Sequence, residues 1–369
     1  MGSACALLAR YNPSNSREEN LGSIDADAHV YECEETWAYL SAEETRFTPV
    51  VTTQSWGPDP RNIERSPTEY WVVDNRYHPK NRNIMPDTSA EQRELRDVGA
   101  RLAHMDQLGI DIQVIYPSLF LRPVMRTAAS ELALTRSYNR WMEAIWSKAP
   151  DRLRWVLLPA IQSMEKNRDE IARAKDHGAC GIFMRGTEWE RFHGDPYFFS
   201  LYELAADFDM PICIHSGSGS ITQHDHCLDD GSFTKFLQPG VGAFHSLIEK
   251  GIPTKFPEVR WGFVELGAQW LPYVYLDLKA RLERFGKQMP EHFLAANNVY
   301  VAVAVYDDVP YIIRYVGEDN LVIGTDYGHN DQQSQMNAFE IFRHRNDIDP
   351  SVIKKITDEN PRKLYKIES

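Results

Sequence analysis

No run of about 18 consecutive apolar residues occurs in the 369-residue chain, so no spanning helix is expected. Basic residues are in deficit, with 40 Lys and Arg against 53 Asp and Glu, and no basic block stands anywhere. A phosphate-backbone partner is therefore not expected. The net charge of −13 also works against long-range steering of anions, so an anionic ligand must be captured locally. Cysteine is scarce and odd in number: Cys5, Cys33, Cys180, Cys213 and Cys227, with no C-x-x-C spacing. That usage suits free thiols in a reducing cytoplasm. Cys180 and Cys213 lie in apolar runs and read as core. The segment before Gly22 has a short apolar stretch, Ala4–Leu8, but no basic start and no long apolar core, so no secretion signal is expected. Internal repeats and low-complexity tracts are absent.

What is present is a regular alternation. Eight short apolar runs occur at Ile24–Val30, Ile112–Pro117, Leu153–Pro159, Cys180–Arg185, Pro211–His215, Arg260–Glu265, Val299–Val305 and Leu321–Asp326. Between them, segments such as Thr127–Lys148, Ser163–Asp176 and Ala268–Phe285 carry apolar residues at i, i+3, i+4 spacing, the mark of amphipathic helices. Buried strands alternating with helices indicate parallel βαβ units. Eight of them close a (β/α)8 barrel. An open doubly wound sheet is disfavoured because no G-x-G-x-x-G loop follows the first strand. We expect a loose arm over 1–21 and one barrel domain over 22–369. The aperiodic, Pro- and Trp-rich stretch 34–87 is expected as an insertion over the barrel mouth, and 350–367 as a closing helix.

In such a barrel, chemistry belongs at the C-terminal ends of the strands, and unusual polar groups collect there. In Ile-Asp-Ala-Asp-Ala-His-Val-Tyr-Glu, Asp25, Asp27 and His29 alternate, so a strand aims them at one face. Two carboxylates and an imidazole indoors cost several kcal/mol unless something positive lies between them, and a divalent metal is the simplest such object. Glu32 ends the same run. His215 ends Pro-Ile-Cys-Ile-His, Glu265 ends Trp-Gly-Phe-Val-Glu and Asp326 ends Val-Ile-Gly-Thr-Asp. Each has a bland reading: core histidine, structural salt bridge, helix cap. Each also fits a ligand set, with Asp326 as general base and Glu265 as ligand or proton shuttle. His329 either orients Asp326 or belongs to a surface loop. His224 and His226 are solvated loop histidines or ligands of a second metal. Arg185 either meets a substrate carboxylate or neutralises the acidic ligands. Tyr116, Trp189, Phe120 and Trp270 are candidate walls of an apolar pocket.

From about residue 22 to its end the chain resembles the amidohydrolase superfamily. The branch is the amidohydrolase-2 one, which includes aminocarboxymuconate-semialdehyde, γ-resorcylate and 5-carboxyvanillate decarboxylases. The resemblance rests on Asp-Ala-Asp-Ala-His, Ile-His-Ser-Gly, Phe-Pro-Glu-Val-Arg-Trp-Gly-Phe-Val-Glu-Leu-Gly, Gly-Thr-Asp-Tyr and Glu-Asn-Pro-Arg-Lys-Leu-Tyr. It implies a distorted barrel with one divalent metal, sometimes two, held by Asp27, His29, His215 and Asp326. Two departures stand out: Asp27 replaces the first histidine of the usual His-x-His, and Glu265 stands where several decarboxylases have histidine. The oxygen-rich set favours manganese or iron over zinc. It is also similar to two-metal Mn/Fe oxygenases on this scaffold, such as aminoisobutyrate hydroxylase. The expected activity is hydrolysis or non-oxidative decarboxylation of a small organic acid. A dinuclear oxygenase is the alternative, and a non-catalytic partner subunit is the third reading. A homo-oligomer, or a hetero-oligomer with a related barrel subunit, is expected.

Overall fold

The computed structural model describes residues 22–54, 68–80, 83–226 and 233–368. Eight strands run parallel in the order of the chain: β1 (Ile24–Val30), β5 (Ile112–Pro117), β6 (Leu153–Leu157), β7 (Ala179–Arg185), β8 (Ile212–His215), β9 (Trp261–Val264), β10 (Val299–Val303) and β11 (Leu321–Ile323). Helices stand between them, among them Ala128–Trp146, Asn167–Asp176, Gln238–Glu249 and Leu271–Arg284. This is the (β/α)8 barrel expected from the alternation, with strand bounds within a few residues of the apolar runs. Among the described residues no helix is long and apolar enough to cross a membrane. Cys33, Cys180 and Cys213 are free and buried; Cys5, Cys227 and the segment 1–21 lie outside the described residues.

The ring closes where β1 meets β11. Asp326 N donates to the Asp27 carbonyl at 2.8 Å, and His29 N to the Tyr327 carbonyl at 3.1 Å. That approach requires Gly324, since a Cβ there would lie 2.4 Å from Asp27 Cβ. Asp25 pins the seam. Its buried carboxylate accepts from Thr325 N (2.9 Å), Thr325 Oγ1 (2.6 Å) and Gln113 Nε2 (2.9 Å), joining β11 and β5 to β1. Asp25 thus alternates with Asp27 and His29 as expected, but it serves the closure rather than the donor cluster described below. Between Asp25 and Ala28 the β1–β5 register slips by one residue, a bulge that re-aims Asp27.

Within 34–87 the chain forms a three-stranded antiparallel sheet, β2 (Val50–Gln54), β3 (Thr68–Val73) and β4 (Arg76–Pro79). The segment after it is tied to the loop following β11: Met85 N donates to Gly328 O at 2.8 Å and Asn330 N to Asn83 O at 2.7 Å.

Asp25→Ala is expected to lower the unfolding free energy by roughly 2–5 kcal/mol, because it leaves buried donors on two strands unmatched. Urea denaturation checks this, and a loss under about 1 kcal/mol would show that the seam does not depend on Asp25.

Candidate metal centre

The ends of four barrel strands, β1, β8, β9 and β11, bring donors to a common point. His29 Nδ1 lies 3.0 Å from the Pro117 carbonyl, and His215 Nδ1 lies 2.9 Å from the Ser216 carbonyl. A carbonyl only accepts, so each Nδ1 carries the proton and each neutral ring turns a bare Nε2 inward. The two Nε2 atoms are 3.1 Å apart. His29 Nε2 also lies 3.4 Å from Asp27 Oδ1, 3.4 Å from Glu265 Oε2 and 3.3 Å from Asp326 Oδ1. His215 Nε2 is 3.3 Å from Asp27 Oδ1 and 3.1 Å from Glu265 Oε2. Acceptors therefore converge on acceptors. Asp27 Oδ1 and Glu265 Oε2 are buried with no hydrogen-bond partner among the described residues.

This donor set fits a divalent cation. Donors bound to one ion at roughly 2.1 Å lie about 3.0 Å apart at octahedral angles and about 3.4 Å apart at tetrahedral ones, the spacing seen here. A void of about 10 Å³ lies beside Asp27, Glu265 and Asp326, the room of one ion or water. Asp27, His29, His215 and Glu265 form one group able to hold a metal; His29, Glu265, Asp326 and His329 form an overlapping one. His29 has a single free nitrogen, so the two groups describe one shared centre. Backbone geometry is set for it: Glu265 (φ 54°) and Asp326 (φ 52°) both adopt the left-handed region at strand ends, a strain usually found where function demands it.

Without a cation a proton must serve instead. Burial opposes charging His29, but the Asp27 and Glu265 carboxylates override it and raise its pKa to about 9. Burial would likewise raise Asp27, yet His215 and His29 outweigh it and bring it down to about 2. Asp326 is pushed well above the carboxylate range by burial and by the charges of Glu265, Asp331 and Asp27.

The surrounding residues fix these groups. Ser216 Oγ donates to Glu265 Oε1 at 2.9 Å and Ser334 Oγ to Asp326 Oδ2 at 2.5 Å. His329 Nδ1 lies 2.7 Å from Asp326 Oδ1, and its Nε2 lies 2.9 Å from Ser118 Oγ. Burial, then the charges of His29, His215 and Arg122, hold His329 well below the ordinary imidazole value. Tyr116 lies beneath the histidines, its ring 5.2 Å from that of His215 and its hydroxyl 2.7 Å from Tyr365 Oη. It is floor rather than substrate wall.

Other expected site residues stand elsewhere. Glu32 joins neither donor group: its two oxygens accept backbone amides, from Ser118 at 3.2 Å and Leu119 at 2.8 Å, and burial raises its pKa to about 7. Arg185 ends β7 but does not line the cavity above the centre. It is buried against Glu188, with Nε 3.1 Å from Glu188 Oε1, and its Nη1 donates to the Arg122 carbonyl at 2.7 Å. Burial without a partner would cost too much for a guanidinium, so it is spent on structure. Trp189 packs against the hydrophobic core and Trp270 against Phe244, neither on the cavity. Phe120 is likewise core, edge-on to Tyr138. His224 and His226 join no metal-binding group among the described residues; His226 is exposed.

Above the centre lies a cavity of about 440 Å³, lined by Glu265 and His329 at its floor and by Arg122, Lys235, Trp71 and Phe236 farther out. Sequence reasoning missed Arg122, Lys235, His78, Ser118 and Ser334. Ser118 and Arg122 carried a signal, standing just past the end of β5.

A family model described as amidohydrolase matches residues 24–367. No protein of curated function matches the sequence. Among solved structures, the chain is similar to an amidohydrolase of Mycobacterium avium subsp. paratuberculosis K-10 (17% identity, 93% of this chain and 99% of that one, TM-score 0.74). It is similar also to 5-carboxyvanillate decarboxylase of Novosphingobium aromaticivorans, complexed with manganese and 4-hydroxy-3-methoxy-5-nitrobenzoic acid (21%, 77% and 85%, 0.63). A third is 2,6-dihydroxybenzoate decarboxylase from Rhizobium (16%, 94% and 98%, 0.64).

Two outcomes are expected. His215→Ala should reduce bound metal from roughly one ion per chain to near zero by elemental analysis, since a ligand is lost and Glu265 is left uncompensated; retained stoichiometry would exclude His215 as ligand. In chelator-treated protein, His29 binds its proton more tightly folded (about 9) than unfolded (6.5). That contribution is complete below pH 6.5 and lost as pH rises to about 9. The Tm of the chelated protein should therefore fall across that window while that of manganese-loaded protein does not. A Tm of chelated protein that rises there would contradict the assignment.

Proposed function

The chain belongs to the amidohydrolase family and is a metal-dependent hydrolase or decarboxylase; on that premise we propose that it decarboxylates a small aromatic acid without net oxidation. The observation that carries this reading is the cavity of about 440 Å³ that opens directly above the donor cluster between aromatic rings and cationic side chains. Its size suits one small ligand. Trp71, Tyr77 and Phe236 offer flat apolar surface to a ring, and Arg122 offers a guanidinium to its carboxylate. That the similar folds include decarboxylases of 5-carboxyvanillate and 2,6-dihydroxybenzoate supports the same choice.

Asp27, His29, His215 and Asp326, with Glu265, are the residues that would hold the cation. A cation held there, manganese on this oxygen-rich donor set, would supply Lewis acidity toward the substrate acid. The rest falls to the protein. Arg122 orients the acid, and Arg185 fixes the Arg122 backbone from behind. Loss of carbon dioxide leaves an electron pair on the ring carbon, which must take one proton. Asp326 delivers it from its carboxyl, and the chain Asp326–His329–Ser118, with steps of 2.7 and 2.9 Å, restores it from the cavity.

Hydrolysis is the second reading, favoured by the family description itself. The same Asp326 would then accept a proton from water. A dinuclear oxygenase finds no support: it needs His224 and His226 as ligands, and neither joins a donor group among the described residues.

Incubating the manganese-loaded protein with hydroxybenzoates and methoxyhydroxybenzoates should release one equivalent of carbon dioxide per product under argon. Asp326→Asn should cut kcat by about 10²-fold or more while leaving the fold intact. Cleavage of ester, lactone or amide substrates with no carbon dioxide from any acid would replace decarboxylation by hydrolysis.

A further inference from the structure

The hydrogen-bonded chain at the floor of the cavity has the order of a nucleophile, a base and a carboxylate. Ser118 follows the last residue of β5, with its Oγ 2.9 Å from His329 Nε2, and His329 Nδ1 lies 2.7 Å from Asp326 Oδ1. An ionised carboxylate only accepts, so Nδ1 carries the proton and Nε2 is left to accept from the Ser118 hydroxyl. In this tautomer an imidazole can take a proton from a hydroxyl. Such a set is recognised by geometry and roles, whatever the fold that carries it. Burial is graded along the chain. Asp326 at 2% and His329 at 6% exposure are closed off, whereas Ser118 is half-buried and lines the cavity of about 440 Å³. Of the three, the hydroxyl has the most open side.

Each member is held in place without a ligand. The Ser118 and Leu119 amides donate to Glu32 at 3.2 and 2.8 Å, which fixes the turn that carries the hydroxyl. Ser118 precedes the short helical turn Leu119–Leu121, yet its side chain caps no amide there. The His329 ring packs against His29 and Tyr31, with centroids 4.0 and 5.4 Å away, and its backbone bridges Ile84. Ser334 Oγ holds the other Asp326 oxygen at 2.5 Å. In the proton relay described above the hydroxyl only passes protons; the same geometry lets it attack carbon.

We propose that Ser118 is a nucleophile, with His329 its base and Asp326 the carboxylate that orients the ring, giving the chain a second activity: acyl transfer from esters of small aromatic acids. Trp71 and Phe236 in the cavity wall suit an aromatic acyl group. In the first step Ser118 Oγ bonds to the ester carbonyl carbon while its proton passes to His329 Nε2. The bond from that carbon to the leaving oxygen then breaks, and the leaving oxygen takes the proton from Nε2. Water repeats the sequence on the acyl-serine and releases the acid, so no oxidant or reductant enters the balance. The amides of Ser118 and Leu119 are engaged by Glu32, so neither is free to receive the oxyanion. Turnover is therefore slow and the acyl-enzyme accumulates. This activity stands beside the decarboxylation reading and does not rest on it.

The probe is 4-nitrophenyl benzoate, which carries an aromatic acyl group and a leaving group visible on release. Mixed with manganese-loaded protein, it should give a burst of about one nitrophenolate per chain followed by slower release. Peptide mass spectrometry should place the benzoyl group on Ser118. Ser118→Ala should remove both burst and adduct with manganese content unchanged, and Ser118→Cys should retain an adduct at that position. His329→Gln should slow acylation by about 10²-fold or more, which a serine that merely braces the ring would not show. Nitrophenolate release with no benzoyl group on Ser118 overturns the proposal. So does an adduct whose rate His329→Gln leaves unmoved. The adduct should also survive chelation; its loss there would assign ester cleavage to the metal centre and likewise overturn the proposal. Carbon dioxide release from acids is measured separately, so failure of this proposal and failure of the decarboxylation reading are told apart.

Discussion

The structure depends on one electrostatic constraint: acceptor atoms from four barrel strands face one another inside a dry space. Two imidazole nitrogens and three carboxylate oxygens meet within 3.1–3.4 Å of His29 Nε2 or of each other. No arrangement of neutral groups makes that favourable, since each atom has been desolvated and none donates. A cation resolves all of these contacts at once. In its place the protein can only add protons, and the raised value of His29 marks where the first would go.

Much of the barrel's local construction follows from keeping those acceptors in place. Gly324 lets β11 approach Asp27, the bulge in β1 turns Asp27 inward, and Asp25 locks the seam below. Glu265 and Asp326 hold left-handed backbone, which the surrounding bonds from Ser216 and Ser334 must sustain. Arg101 completes the support. It is fully buried, donates to the His29 carbonyl at 3.2 Å and to Gln113 at 2.7 Å, and stacks over Tyr327. Stability is thereby coupled to function, because the residues that close the barrel also aim the donors.

The barrel was legible because its strands are continuous apolar runs, and periodicity reports burial directly. Asp27, His29, His215, Glu265 and Asp326 were legible for a related reason: a charged residue ending an apolar strand is conspicuous, and the strand fixes where it goes. Glu32 and Arg185 were equally conspicuous, but what decides their role is the partner: backbone amides of 118–119 for one, Glu188 for the other. Those partners come from loops that no period describes. For the same reason Arg122, Lys235 and His78 escaped notice. Their neighbours are assembled by the antiparallel sheet over 50–79 and by a π-turn, neither of which has a sequence signature of its own.

The central claim concerns a single cation bound by two imidazoles through Nε2 together with carboxylate oxygens. X-ray absorption spectroscopy of the protein loaded with one equivalent of manganese tests it most directly. The account predicts a nitrogen and oxygen shell with outer-shell scattering from two imidazole rings per ion. A spectrum of oxygen ligands alone, with no imidazole scattering, would contradict it.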